Sequence, residues 1–207
     1  MKIRAYILVV VVLVLFMGSQ TRSDSTVNRE YQVKAAFLYN FIKFIEWPKE
    51  KVADSNEPMI IGVIGQDPFG NAFDPLETKD TKSKKVLIKR FKPWEEIKKS
   101  GEKDKSSLER QVEAIQKCHL LFICPSEEKN LKEVINLVKD HSVLTVADTK
   151  GFLESGGIIN FIMEEQKVRF EINVTTAKKS KLEVRSQLLR LAKKVVSEEN
   201  TKGNKNG

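Results

Sequence analysis

The sequence predicts an α/β fold: a mainly parallel sheet flanked by helices, followed by a C-terminal β-hairpin and a docking helix. Two observations carry this. Between Met59 and Ala147, short continuous apolar runs alternate with segments whose apolar residues recur at helical spacing, the pattern of strands buried on both faces and joined by crossover helices. After Gly151 that rhythm gives way to two β-rich runs parted by four polar residues, and then to one more helical stripe.

Taken in order, Asn28 to Trp47 reads as an aromatic-rich helix. Val33, Phe37, Phe41 and Phe44 fall on one stripe and Leu38, Ile42 and Ile45 on a neighbouring one, a width that implies burial on most sides. Pro48 ends the helix, and Lys49 to Pro58 is a polar connection. Met59 to Ile64 is a strand that stops at Gly65, and Asp67-Pro68 supplies a cap and a first-turn residue for a short helix from Pro68 to about Leu76. Lys85 to Phe91 alternates as a second strand; Trp94 to Ile97 starts a short helix, and the charged stretch Lys98 to Lys105 reads as a mobile loop. Ser107 to Lys117 places Leu108, Val112 and Ile115 on one helical face and feeds the strand His119 to Cys124. Pro125-Ser126 opens a helix over Glu127 to Asp140, striped by Leu131, Val134, Ile135 and Val138, and Val143 to Ala147 is the next strand. Gly157 to Met163 and Val168 to Val174 form an antiparallel hairpin at one side of the sheet, turned by Glu164-Glu165-Gln166-Lys167. Asn173 caps a short helix, and Leu182 to Val196 is the docking helix, carrying Leu188, Leu189, Leu191, Ala192, Val195 and Val196.

Residues 1–23 read as a secretory leader. Lys2 and Arg4 precede the apolar run Ile7 to Phe16, and Gly18-Ser19-Gln20 closes it. That run is well short of the ~20 residues a permanent membrane helix needs, and no Cys stands at its end to receive a lipid. Export to the periplasm with cleavage of the leader is expected. About 184 residues remain, enough for one domain over 24–197 followed by a disordered polar tail at 198–207. The formal charge is +8 for the full chain. The basic tracts are interleaved with acids and lack the aromatic residues of a single-strand nucleic-acid surface, so no nucleic-acid partner is expected.

Cys118 and Cys124 share one strand. Six residues of extended chain separate them by about 20 Å, far beyond the ~7 Å at which two alpha carbons can be bridged, so they do not pair with each other. Buried, inert thiols are the simplest reading, with pairing between chains as the other. Gly65-Gln66-Asp67-Pro68-Phe69-Gly70 stands where an open α/β sheet often takes phosphate, yet lacks both the Lys-Ser/Thr of a P-loop and a G-x-G-x-x-G fingerprint. Ser155 in Leu153-Glu154-Ser155-Gly156-Gly157 has only His119 and His141 as possible bases, one in a strand and one at a helix end, and reads as a turn residue. Cys118, His119 and Cys124 lack a second ligand pair for a metal. Neither catalysis nor a cofactor is expected; the residues describe an exported binding domain.

Five blocks carry a resemblance. Tyr31-Gln32-Val33-Lys34-Ala35-Ala36-Phe37-Leu38-Tyr39-Asn40-Phe41-Ile42-Lys43-Phe44-Ile45-Glu46-Trp47-Pro48 resembles the opening helix of the YfiR family of periplasmic proteins. Cys118 to Ile123, Gly156 to Phe161, Val168 to Asn173 and Ser186 to Ala192 are similar to that family's remaining signatures, in the same order. The resemblance implies a small, often dimeric α/β repressor that binds the periplasmic domain of a membrane diguanylate cyclase and lowers cyclic di-GMP signalling and biofilm growth. It also implies an outer-membrane lipoprotein that sequesters the repressor. Relatives often carry a Cys in the first sheet strand that pairs with the Cys of the Cys-His block; here that strand reads Ile60-Ile61-Gly62-Val63-Ile64-Gly65, so redox control through that bond is not implied. The alternative is a periplasmic small-molecule sensor acting on a histidine kinase.

The contact surface of such a binder is expected in the hairpin and C-terminal region. Glu164, Glu165, Arg169, Glu171 and Arg190 are its charged candidates, and Ile158 and Phe161 its apolar ones. The competing structural reading pairs Arg169, Glu171 and Arg190 with one another and places Phe161 in the core.

Overall fold

The computed structural model describes residues 21–52, 57–77 and 85–197. The expected leader falls mainly on residues 1–20, outside the described residues, as does the expected tail 198–207. Thr21 to Ser23 are the first residues of helix α1 (Thr21–Phe44), which runs directly into the two-residue strand β1 (Ile45–Glu46). No helix among the described residues is long and apolar enough to cross a membrane. Both stripes of α1 reach the core, but the first is buried unevenly along its length: Phe41, like Leu38 on the second, is fully buried, whereas Val33 is 41% exposed.

β2 (Met59–Ile64) keeps its expected bounds, because a run of β-branched residues ending in glycine specifies both the strand and its end. The expected helix from Pro68 shrinks to α2 (Asp74–Glu77) after a series of turns, since the Asp67 side chain accepts from Phe69 N at 2.7 Å and holds the chain in a local turn. β3 (Val86–Phe91) follows. The charged stretch expected as a mobile loop is helical: α3 (Trp94–Lys103) extends through it, and only Asp104 interrupts before α4 (Lys105–Gln116). Lys98 bridges Glu95 at 2.8 Å and Glu133 at 3.0 Å, Ile97 is buried, and Asp104 caps α4 by accepting from Ser106 N at 3.0 Å.

β4 (Leu120–Ile123) leads through a 3-10 segment at Pro125–Asn130 into α5 (Leu131–Val138), then β5 (Leu144–Ala147). The hairpin is β6 (Ile159–Glu164) and β7 (Lys167–Asn173). Asn173 caps α6 (Val174–Lys179), accepting from Thr176 N at 3.0 Å. The expected docking helix over Leu182 to Val196 is three pieces instead: β8 (Glu183–Val184), α7 (Ser186–Leu189) and β9 (Lys194–Val196). Leu188 does dock into the core, but Leu191 is 60% exposed, and Val195-Val196 pair with β7. Tertiary strand pairing overrides the helical spacing of this segment.

The sheet order is β3-β2-β4-β5-β6-β7-β9, with β1 and β8 as a separate two-stranded ribbon. β3, β2, β4, β5 and β6 are mutually parallel; β7 turns back against β6, and β9 lies parallel to β7 at the outer edge. The hairpin is thus one strand in from the edge. Two cores form on opposite faces. One gathers Phe41, Phe122, Phe161 and Phe170 with α1; the other gathers Leu121, Ile123, Ile135 and Val138 with α3, α4 and α5. Alternation along β4 sends Leu120 and Phe122 to the first and Leu121 and Ile123 to the second.

Candidate partner-binding surface

Parallel α/β sheets take ligands where strand order reverses, here between β2 and β4. That crevice is filled by the chain itself. Gln66 N donates to Ser126 Oγ at 2.9 Å, and a Cβ on Gly65 would stand only 2.5 Å from the same oxygen. Glu127, 1% exposed, accepts from Trp94 N and Asn130 Nδ2. Glycine at 65 therefore serves loop packing, with φ at +108° and Ser126, Cys124 and Glu127 close against it. Ser155 lies in a turn with its N–H on Gly151 O, and His119 Nδ1 accepts from Ile60 N at 3.0 Å.

Both cysteines are free and buried, in the two different cores: Cys118 in the helix-covered one and Cys124 on the α1 side. Burial pushes the Cys118 thiol up to about 12, and it pushes Cys124 up as well. A Cβ on Gly62 would lie 2.8 Å from Cys118 Sγ. In a disulfide the corresponding distance is about 3 Å, so position 62 is where a bridging partner of Cys118 would stand.

The hairpin is built differently from the covered sheet. Glu164 pairs with Lys167, leaving Glu165 and Gln166 as a two-residue turn with φ of 48° and 60°. That is the mirror-image geometry hairpins favour, here adopted without glycine or asparagine, at a cost of about 1–2 kcal/mol per residue. Register places Ile162, Glu164, Lys167, Arg169, Glu171 and Lys194 on one face, opposite the face that carries Phe161, Phe170 and Ile172. Lys193 ties the edge segment to the hairpin twice, by its N–H to Phe170 O at 2.8 Å and by Nζ to Glu164 Oε1 at 2.6 Å. The Lys193 hydrogen bond, with Arg169 nearby, holds the Glu164 carboxyl below its usual range.

Of the seven residues predicted from sequence, Glu164, Arg169 and Glu171 share the polar face, Glu165 occupies the strained tip, and Arg190 is exposed just after α7. Ile158 and Phe161 are corrections. They are 1% and 3% exposed and belong to the α1 core, Phe161 on the inward phase of β6 and Ile158 just ahead of the strand. The apolar residues that do reach the surface in this region are Met163, 50% exposed, and Leu191. Alternation from Phe161 places Met163 on the same side as the core but past its cover, a distinction that depends on how far α1 extends.

Sequence reading also missed a buried polar anchor. Lys34 Nζ, 2% exposed as a residue, bridges Asp148 and Glu30, and Tyr31 Oη donates to Asp148 at 2.9 Å. Burial, reinforced by the Asp148 charge, pushes the Tyr31 phenol far up. The cluster pins α1 to the end of β5. Its signal in sequence was the Glu30–Lys34 spacing, which looks like an ordinary surface pair.

These features define the class: an α/β domain with one mixed seven-stranded sheet, a self-filled switch point and an antiparallel C-terminal extension. The chain belongs to the YfiR/HmsC-like family (DUF4154), which it matches over residues 31–193. That is a family of periplasmic, non-catalytic regulators of diguanylate cyclase signalling. A crystal structure of a conserved domain protein from Vibrio cholerae O1 biovar El Tor shares the fold, with a TM-score of 0.51 at 8% identity, over 80% of this chain. This chain spans 60% of the length of that one. No curated protein matches the sequence.

Proposed function

We propose that the protein is exported to the periplasm, where it binds the periplasmic domain of an inner-membrane diguanylate cyclase and holds it inactive. Cyclic di-GMP and biofilm formation fall as a result. The observation that carries this reading is family membership across residues 31–193, from the start of the aromatic helix to the edge segment beside the hairpin. Binding to one conformational state of the cyclase shifts its population, so the repressor needs neither cofactor nor catalysis. Its contact surface is the hairpin and the segment after α7: Glu164, Glu165, Arg169, Glu171 and Arg190 supply charge, and Met163 and Leu191 supply exposed apolar area. The repressor acts as a homodimer, and an outer-membrane lipoprotein relieves repression by sequestering it.

The test is cellular cyclic di-GMP in a strain lacking the protein, complemented with an exported copy or with one stripped of residues 1–23. A rise reversed only by the exported copy is expected; no rise overturns the reading. Replacing Glu164 and Glu165 together by Lys should weaken cyclase binding while the domain stays folded, because the exposed Lys193 bridge adds little to stability. Unchanged affinity removes the hairpin tip from the interface.

A further inference from the structure

A cavity of about 400 Å³ opens where the end of α1 and β1 cross the β2–β3 side of the sheet. Its size lies within the range of small-molecule sites. Ile42, Trp47, Val52, Met59 and Val86 give it an apolar wall, and Tyr39, Lys43, Arg185 and Glu46 bring polar groups to its margin. Two features of this wall are unexplained by folding alone. Trp47 Nε1–H is buried without a hydrogen-bond partner, whereas the indole of the other tryptophan, Trp94, donates to Glu133 at 2.8 Å. An orphaned buried donor is rare in native proteins and calls for an occupant or a function. The margin also carries two cations against one acid. Arg185 is paired with Glu46 at 2.9 Å, but Lys43 lies over the Tyr39 ring at 4.3 Å with no ion pair among the described residues.

We propose that this cavity binds a small amphipathic carboxylate, with an apolar body of ring or short acyl-chain size. The body lies on the Ile42, Met59 and Val86 wall. One anionic group meets Lys43 and competes with Glu46 for Arg185, and a slight opening of the wall brings a carboxylate oxygen to Trp47 Nε1–H. Apolar lining with a few convergent polar groups is how small-ligand sites combine affinity with orientation. The site also has a route to the rest of the fold. Arg185 N donates to Phe44 O at 3.0 Å, closing the β1–β8 ribbon, and the chain continues through α7 to β9 beside the hairpin. Occupancy thus acts on the C-terminal segment, a consequence that rests on the cyclase-binding reading; the binding itself does not.

The experiment uses the purified mature protein, with no cyclase present, and octanoate as probe. The indole N–H resonances of Trp47 and Trp94 are followed by NMR, with octanol and octylamine as comparison ligands. Octanoate should move the Trp47 signal saturably and leave Trp94 in place. Lys43→Glu, on an exposed position, should weaken octanoate at least tenfold without changing octanol binding. A Trp47 signal that stays fixed up to millimolar octanoate overturns the proposal. So does octylamine binding as tightly as octanoate, or undiminished octanoate binding by Lys43→Glu. Because no partner enters the measurement, such a failure leaves the cyclase reading standing, and the reverse holds for the cellular test.

Discussion

The two sides of this sheet follow different rules. β2, β4 and β5 are parallel and covered on both faces, and even the crevice at the strand reversal is packed with Ser126 and Glu127. From β6 to β9 the sheet turns back on itself at the β6–β7 hairpin, covers one face with α1 and leaves the other to Glu164, Arg169, Glu171 and Lys194. On the covered side the buried cation Lys34 is paired internally, with Glu30 and Asp148. The open side holds its charges in exposed pairs and keeps a strained turn at its tip. Buried ion pairing is concentrated in one part, and a polar sheet face is exposed in the other.

The largest expected effect breaks the covered side. Lys34→Ala leaves Asp148 buried without its cation and should cost about 3–5 kcal/mol in urea unfolding, while cyclase affinity per folded molecule stays the same. A loss below 1 kcal/mol would mean that water reaches Asp148, and the contrast between the two sides would fail.

Next comes a covalent addition to the same side. Gly62→Cys should crosslink to Cys118 on oxidation and add about 2–4 kcal/mol, a gain abolished by reductant. Leu121 Cδ1 at 2.9 Å and Phe91 Cε2 at 3.0 Å must give way, so the reduced variant should be less stable than the parent. Absence of the crosslink in mass spectrometry would show that the strand cannot accommodate it.

On the open side the expected gain is smaller and comes from the backbone of the turn. Glu165→Asn with Gln166→Gly relieves two left-handed residues and should raise stability by about 1–2 kcal/mol, yet weaken partner binding through loss of the Glu165 charge. Stability and affinity rising together would separate the turn from recognition.

The smallest effect is a titration. Since its partners lower the Glu164 carboxyl, the Lys193 contact is intact at neutral pH and is lost as pH falls through the lowered folded value, below about 4.5. NMR titration should find that midpoint below the ordinary glutamate value and see it rise in Lys193→Ala. An unmoved midpoint would assign the shift to Arg169 instead.

Much of the covered side was legible in sequence, because periodicity reports burial. Met59–Ile64 was bounded correctly by its apolar run and closing glycine, and Asn173 was recognisable as a cap. What was missed depends on distant partners. Lys98 to Lys105 looked like solvated loop until Glu133, on α5, supplied the pair for Lys98. Leu182 to Val196 has helical spacing, but its last valines find a strand edge in β7. Among the site residues, Glu165, Arg169 and Arg190 are exposed and Glu164 and Glu171 half-buried, as their charge requires. Apolar Ile158 and Phe161 could not be told from Met163 and Leu191 without knowing where α1 stops covering the sheet.

Gly62 opposite Cys118 bears finally on biosynthesis. With its two thiols facing opposite cores, the chain has no native disulfide for an oxidase to form. Its maturation after export should therefore be indifferent to the disulfide machinery. A copy lacking residues 1–23 and made in a reducing cytosol should reach the same fold, so the redox state of the compartment of synthesis does not decide folding.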